Sequence, residues 1–370
     1  MDYKKETLAE IAQKQSTIGS KHALVGVDGF VDRIFTPVKS RHGRGDAFDP
    51  FLSLQDLGER VTAAAGKSTN IEFYPKIEKL GGNGPIMAYA LVAAGAKVRY
   101  VGALGKDSIE PVFEDLARKT NAISVCDPGI SMMAECDDGK VIFGNTSPLD
   151  ELTYEAIVGK MGEGEFFDAM SRAHLVGLVN WTMIPDMTNI LNAIVERVLP
   201  NLSTLEERIF FFDLCDPAKR SEGDLLGLLN TLKRFQNYGR AILGLNLSEA
   251  EQVWHVLGHM AVPPTEDGLK EMASTIRQDL NLSCIVIHPV ESAACATRDD
   301  TWWVQGPFTE KPKITTGAGD HFNAGFLTGQ LLGLTPPACL TLAVTFSGHY
   351  VRTAKSPSLN DATSFIHGWS

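Results

Sequence analysis

Short runs of β-branched and apolar residues alternate along the chain with longer segments whose apolar positions recur every three or four residues. HALVGVD (22–28), VRYVGAL (98–104), HLVGLVN (174–180), RIFFFDL (208–214), AILGLN (241–246) and CIVIH (284–288) are bounded by Gly, Pro, Asn or Asp and predict buried strands. Helical spacing predicts helices over 84–95, 109–120, 186–199, 224–238, 248–257, 266–280 and 322–334. Strands that are apolar on both faces and separated by helices imply a mainly parallel sheet covered on both sides. Ligands bind such sheets beyond the carboxyl ends of the strands, which directs attention to the loops that follow them.

Two segments break the alternation. Residues 34–80 read as loop-rich, with a short strand near NIEFYP. Residues 122–146 contain AISVC, ISMMAEC and KVIFGNT, which read as short antiparallel strands around a DDGK turn. Together they predict a small β lid inserted into one large domain spanning 1–370, since no repeat or low-complexity linker marks a boundary.

Composition narrows the function classes. Hydrophobic residues make up 44% and charged residues 21%, the balance of a folded globular chain. With 34 basic against 45 acidic residues the net charge is −11, and no Lys/Arg stripe interrupts it. That argues against nucleic-acid binding and against an anionic membrane surface, both of which need a basic footprint. The six cysteines are widely spaced and read as reduced, mostly buried thiols. The opening MDYKKETLAEIAQKQS lacks an apolar core and reads as a short polar helix; no run approaches eighteen apolar residues, so a cytoplasmic protein is expected.

The sharpest chemical signal is TTGAGDHFNAGF (315–326). Gly317 and Gly319 permit close backbone approach at the start of a helix, whose unpaired N–H groups and dipole suit a phosphoryl oxygen. Asp320 beside such a site would repel phosphate unless it accepts a proton from an attacking hydroxyl; capping the helix explains it equally well. LGGNGPIMAYALVAAG (80–95) also opens a helix, with Gly81, Gly82 and Asn83 able to approach or bond a ligand, although a tight turn accounts for the glycines too. GVDGFVDRI offers Asp28 and Asp32 to sugar hydroxyls, and turn or capping roles are the alternative for each. In GLNLSEAEQ, Asn246 and Glu249 either organise Mg²⁺ and its waters or lie beside a Ser248/Glu251 capping box.

Taken together, LGGNGPIMAYALVAAGAKVRYVGALGKD and TTGAGDHFNAGF make the chain resemble the ribokinase-like (PfkB) carbohydrate kinases over nearly its full length. The resemblance implies a three-layer α/β/α fold with a β lid, and transfer of the ATP γ-phosphoryl group to a hydroxymethyl group of a sugar or sugar derivative. On matching positions Asp320 is the base, and the backbone of Gly317, Ala318 and Gly319 the anion hole. Asp32, Asp28, Gly81, Gly82, Asn83 and Asn180 face the sugar. Asn246 and Glu249 match the metal and phosphate motif, Glu249 reaching Mg²⁺ through water, with Thr316 on the nucleotide side. Homodimerisation through the lid is a further expectation. No GxxxxGK[ST] loop occurs, as befits this resemblance.

Three departures stand out. Ile86 occupies the place of a second Asn after the glycine pair. Ile314 stands where an Asp helps to bind a monovalent cation, which predicts weak or absent potassium activation. Pro289 and Ser292 replace two glycines of the nucleotide loop. A nucleoside acceptor, with Trp181 and Met183 offering apolar surface to a base, is the competing activity; a catalytically silent sugar-binding or regulatory protein is the alternative outside the enzymes.

Overall fold

The computed structural model describes residues 3–202 and 208–369; Met1 and Asp2, at the head of the polar N-terminal segment, lie outside the described residues. The strands in chain order are β1 (His22–Val27), β2 (Phe30–Arg41), β3 (Phe48–Pro50), β4 (Phe73–Gly81), β5 (Lys97–Gly102), β6 (Ile123–Ser124) and β7 (Gly129–Cys136). They continue with β8 (Gly139–Asn145), β9 (Leu175–Leu178), β10 (Ile209–Asp213), β11 (Arg240–Asn246), β12 (Cys284–His288), β13 (Ser292–Ala296) and β14 (Thr301–Gln305).

The main sheet has the order β14-β13-β12-β11-β10-β9-β1-β5-β6. Pairing is parallel from β12 to β6, and β13 and β14 add an antiparallel edge. Side-chain alternation sends each strand to two cores. In β10, Phe210 and Phe212 enter one cluster and pack edge-on against Phe235, while Ile209 and Phe211 enter the other. Helices Tyr154–Met161, Glu163–Arg172, Met187–Ala193, Glu222–Phe235, Leu247–Val256 and Glu266–Leu280 bury their apolar stripes in the first core. Lys4–Lys14, Asn83–Ala93, Glu114–Thr120, Ala318–Leu332, Pro336–Thr353 and Leu359–Gly368 line the second. This is the three-layer α/β/α arrangement expected from the sequence.

The sheet grows outward from β1 in both directions, through β5 to β6 and through β9 to β12. The ends of β1 and β9 therefore form the crevice where strand order reverses, and ligands bind such sheets there.

The lid differs in detail from its sequence reading. Residues 34–80 are not mainly loop: β2 runs twelve residues, β4 nine, and the Leu54–Thr62 helix lies between them. Their exposed, charged faces hid the pattern, because a one-layer sheet has only a small apolar contact, here Phe51, Leu57, Ala134 and Cys136. β2 pairs with β7 in parallel, not antiparallel, and β7 with β8 through the DDGK hairpin. AISVC belongs elsewhere, since Ile123 and Ser124 extend the main sheet beside β5. The predicted 186–199 helix runs as Met187–Ala193 followed by a wider π turn over Ile194–Val198.

Candidate active site

Asp28 follows β1 and is completely buried. Its Oδ2 accepts Asn83 N–H at 2.9 Å, its Oδ1 accepts Gly84 N–H at 2.8 Å, and Asn180 Nδ2 donates to Oδ2 at 2.6 Å. Burial raises its pKa to about 6 against the pull of these donors. The expectation that Asp28 faces the sugar is therefore corrected: its lone pairs hold the start of the Asn83–Ala93 helix. Asn180, in the left-handed region at φ 62°, is drawn into the same bond and is 1% exposed. Its Oδ1 has no hydrogen-bond partner among the described residues. Gly82, at φ 95°, makes the turn into that helix, and a side chain there would meet Asp28 Oδ2 at 2.9 Å.

Asp32 lies within β2, in the lid rather than at the end of β1. Lys79 is its register partner on β4, with Nζ 4.0 Å from Oδ2. Burial raises the Asp32 pKa, while Lys79, the Ser131 side chain and Lys140 pull it down. Its carboxylate lies directly over Gly81, leaving no room for a Cβ. On β8, Lys140 Nζ donates to Thr316 Oγ1 and so links the lid to the loop before the glycines.

The Ala318–Leu332 helix starts four residues earlier than its apolar run suggested. Gly317 is its N-cap at φ 95°, with no side-chain capping bond, and Asp320 occupies the third position. Gly319 and Asp320 N–H groups thus belong to the first turn, which has no intrahelical acceptors. The Ala318 N–H, expected in the anion hole, instead closes a turn onto Thr315 O at 3.1 Å. Ile86 packs beside Gly317, where an added Cβ would meet its side chain at 3.3 Å. His321 braces the loop: Nδ1 bonds Gly317 O at 2.7 Å, Nε2 bonds Ser356 Oγ at 2.8 Å, and the ring stacks 3.6 Å from Tyr350. Tyr350 OH in turn donates to Thr316 O at 3.1 Å.

Asp320 is 8% exposed and held well above the usual carboxylate range, first by burial, then by Asp213 and Asp28, against a hydrogen bond from Asn83. Asp213, at the end of β10, was not singled out as a site residue. It accepts Asn323 Nδ2 at 2.9 Å and Asn83 Nδ2 at 3.4 Å, and burial with Glu249 nearby raises its pKa strongly. The Asn83 amide thus lies between Asp213 and Asp320 rather than standing free for substrate. Asp213 was legible by the same rule that flagged Asp28, a carboxylate at a strand's carboxyl end. His321, Lys79 and Lys140 carried no such signal.

Asn246 and Glu249 form the capping box of the Leu247–Val256 helix themselves, replacing the expected Ser248/Glu251 pair. Glu249 accepts Asn246 N–H at 2.8 Å and Asp216 N–H at 3.0 Å, and is 3% exposed. Both oxygens are engaged, so direct metal coordination is disfavoured and contact through water remains. Trp181 is core: Arg220 covers its ring at 5.0 Å and its Nε1 donates to Thr188 at 2.9 Å.

Beside the glycine loop lies a cavity of about 310 Å³. Asn246, His288, Ala318 and Gly319 line one side, while Pro307 and Phe308 contribute to its apolar walls. Pro289 and Ser292, the departures from the nucleotide loop, both line it, so their side chains shape the cavity without closing it. The site thus combines an apolar cavity lined by Gly319, the residue before Asp320, with the lid carboxylate Asp32, whose charge acts on Asp320.

Solved structures share this fold. A carbohydrate kinase from Agrobacterium tumefaciens superposes with a TM-score of 0.63 at 16% identity, covering 94% of this chain and 96% of that one. A ribokinase from Arabidopsis thaliana complexed with ribose and ATP gives 0.62 at 13% identity, with 94% and 98% covered. In sequence, a ketohexokinase from Haloferax volcanii is 26% identical over 348 residues, 94% of this chain and 91% of that protein. The prokaryotic ketohexokinase family model matches residues 3–369, a span that includes the lid, the buried Asp320 and the capping box alike. The chain therefore belongs to the prokaryotic ketohexokinase family and is a carbohydrate kinase, a phosphotransferase with an alcohol acceptor.

Proposed function

We propose that the protein transfers the γ-phosphoryl group of ATP to a primary hydroxyl of a ketohexose, with Asp320 as general base. One observation carries this reading: Asp320 is buried in the first turn of a helix, next to Gly319 of the cavity wall, and feels the charge of the lid carboxylate Asp32. A buried carboxylate with a raised pKa takes a proton more readily than an exposed one, which suits abstraction from a sugar hydroxyl. Asp32 orients the sugar by accepting from its hydroxyls, and the Asn83 amide holds Asp320 toward the acceptor. The Gly317 and Gly319 backbone receives charge on the transferring group, and Lys140 and Lys79 add positive charge from the lid. Asn180 supports the sugar side from beneath, by fixing Asp28.

Mg²⁺ would be held through water by Glu249 and by the donor phosphates, and supplies neutralisation of phosphate charge. The chemistry of the donor set fits that role, since Glu249 is buried, acidic and already bonded twice to backbone. A second copy covering the exposed lid residues Ile77, Ile142 and Phe143 is in keeping with the expected homodimer. Of the two residues that favoured a nucleoside acceptor, Trp181 is buried in the core and offers no surface to a base, while Met183 is partly buried. ATP consumption on a panel of ketohexoses, aldoses and nucleosides tests the proposal; turnover with nucleosides alone would reject it.

A further inference from the structure

We infer that His288 contacts the phosphate chain of the donor nucleotide, standing beside the anion hole as a neutral N–H donor. The inference rests on the kinase reading above and names how that site handles the donor. His288 ends β12 and is the register partner of Asn246 on β11, so the two residues stand side by side at the carboxyl edge of the sheet. Both line the cavity, together with Ala318 and Gly319. A Cβ added at Gly319 would lie 3.4 Å from His288 Cε1, so the imidazole touches the backbone that forms the anion hole. Phe322, one turn into the same helix, fixes the ring: the two centroids are 4.5 Å apart with planes inclined by 33°.

The composition of the cavity wall makes this contact matter. None of its lining residues is Lys, Arg, Asp or Glu, and His288 is the one titratable side chain among them. A nucleoside triphosphate entering such a cavity meets no formal positive charge there and must be held by N–H and O–H donors. Burial lowers the His288 pKa to about 4 against the pull of its own backbone, so the ring is neutral and carries one N–H. A neutral donor binds a phosphoryl oxygen without adding fixed charge next to Asp320, and so leaves the base free to ionise. Pro289, immediately following, lacks a backbone N–H, so the loop offers one main-chain donor fewer at this point.

The test measures equilibrium binding of ATP, ADP and adenosine by calorimetry to wild type, His288→Leu and His288→Gln. His288→Leu is expected to weaken ATP and ADP about tenfold, the scale of one lost hydrogen bond to a charged group, while adenosine binding stays the same. His288→Gln keeps an N–H donor and is expected to retain ATP affinity within about threefold. Equal weakening of all three ligands would assign His288 to the shape of the base pocket and overturn the phosphate contact; unchanged binding of all three would overturn it too. Should His288→Leu fail to fold, the Gln variant decides through the same ATP-to-adenosine ratio set against His288→Asn, whose shorter amide loses the contact. Failure of wild type to bind ATP or ADP would instead overturn the kinase reading, and this inference with it.

Discussion

Asn180 donates its side-chain amide to Asp28 Oδ2 at 2.6 Å and thereby ties the loop after β9 to the end of β1. These are the adjacent strands at which the sheet reverses its direction of growth, so one buried carboxylate anchors both sides of the crevice. Asp28→Ala leaves the Asn83 and Gly84 N–H groups and the Asn180 amide without their acceptor. Loss of about 3 kcal/mol of stability is expected by chemical denaturation. A change under about 0.5 kcal/mol, the surface-mutation range, would show that Asp28 is not an anchor.

Asp320→Asn preserves shape and removes the proposed base. The turnover number should fall by roughly 10² to 10⁴, the usual worth of a positioned general base, with the sugar KM nearly unchanged. Steady-state kinetics at saturating ATP provides the check, and a near-normal rate would reject the assignment.

The acid limb of the pH profile follows from the neighbours of Asp320. Asp213, Asp28 and Asp32 raise its pKa on top of burial, Asn83 lowers it, and Lys79, Tyr350 and Cys215 also feel its charge. The proposed base works ionised, so activity should fall as pH drops through this raised value, above the range of a free carboxylate. Asp213→Asn removes the largest neighbouring charge and should move the acid limb to lower pH; movement in the opposite direction would contradict the electrostatic account.

His321 titrates with the opposite sign. Burial lowers its pKa to about 4 from 6.5, so in that window the unfolded chain binds a proton that the native state refuses. Its contribution is present above pH 6.5 and is lost as pH falls toward 4. His321→Gln should therefore reduce the loss of thermal stability between pH 7 and 4.5 relative to wild type, measured as the difference between the two melting profiles.

Gly81 gives Asp32 the space it occupies. Gly81→Ala places a methyl where that carboxylate lies, so the sugar KM should rise about tenfold or more while ATP binding is retained. Ile314 carries a separate expectation: replacing Na⁺ with K⁺ in the assay should change the rate less than about twofold, because a single displaced hydrogen-bond scale interaction already exceeds that factor.

The alternating strands and helices, the glycine turn and the place of Asp320 at a helix start were legible because each depends on local rules: apolar periodicity, glycine's access to positive φ, and a carboxylate in the first turn. Asp28 and Asp32 show where those rules stop. Both read as carboxylates in one short stretch, yet one is sealed under the Asn83–Ala93 helix and the other lies in a lid strand opposite Lys79. The capping box shows the same thing on a smaller scale, since Asn246 and Ser248 are equally good caps until the helix start is known. Sequence by itself determined that this chain forms a doubly covered parallel sheet with a glycine loop opening a helix and an acid in that helix's first turn. Tertiary structure alone decided which carboxylates meet, because burial, charge coupling and hydrogen-bond occupancy arise between strands far apart in the chain, as at Asp213, Asn83 and Asp320.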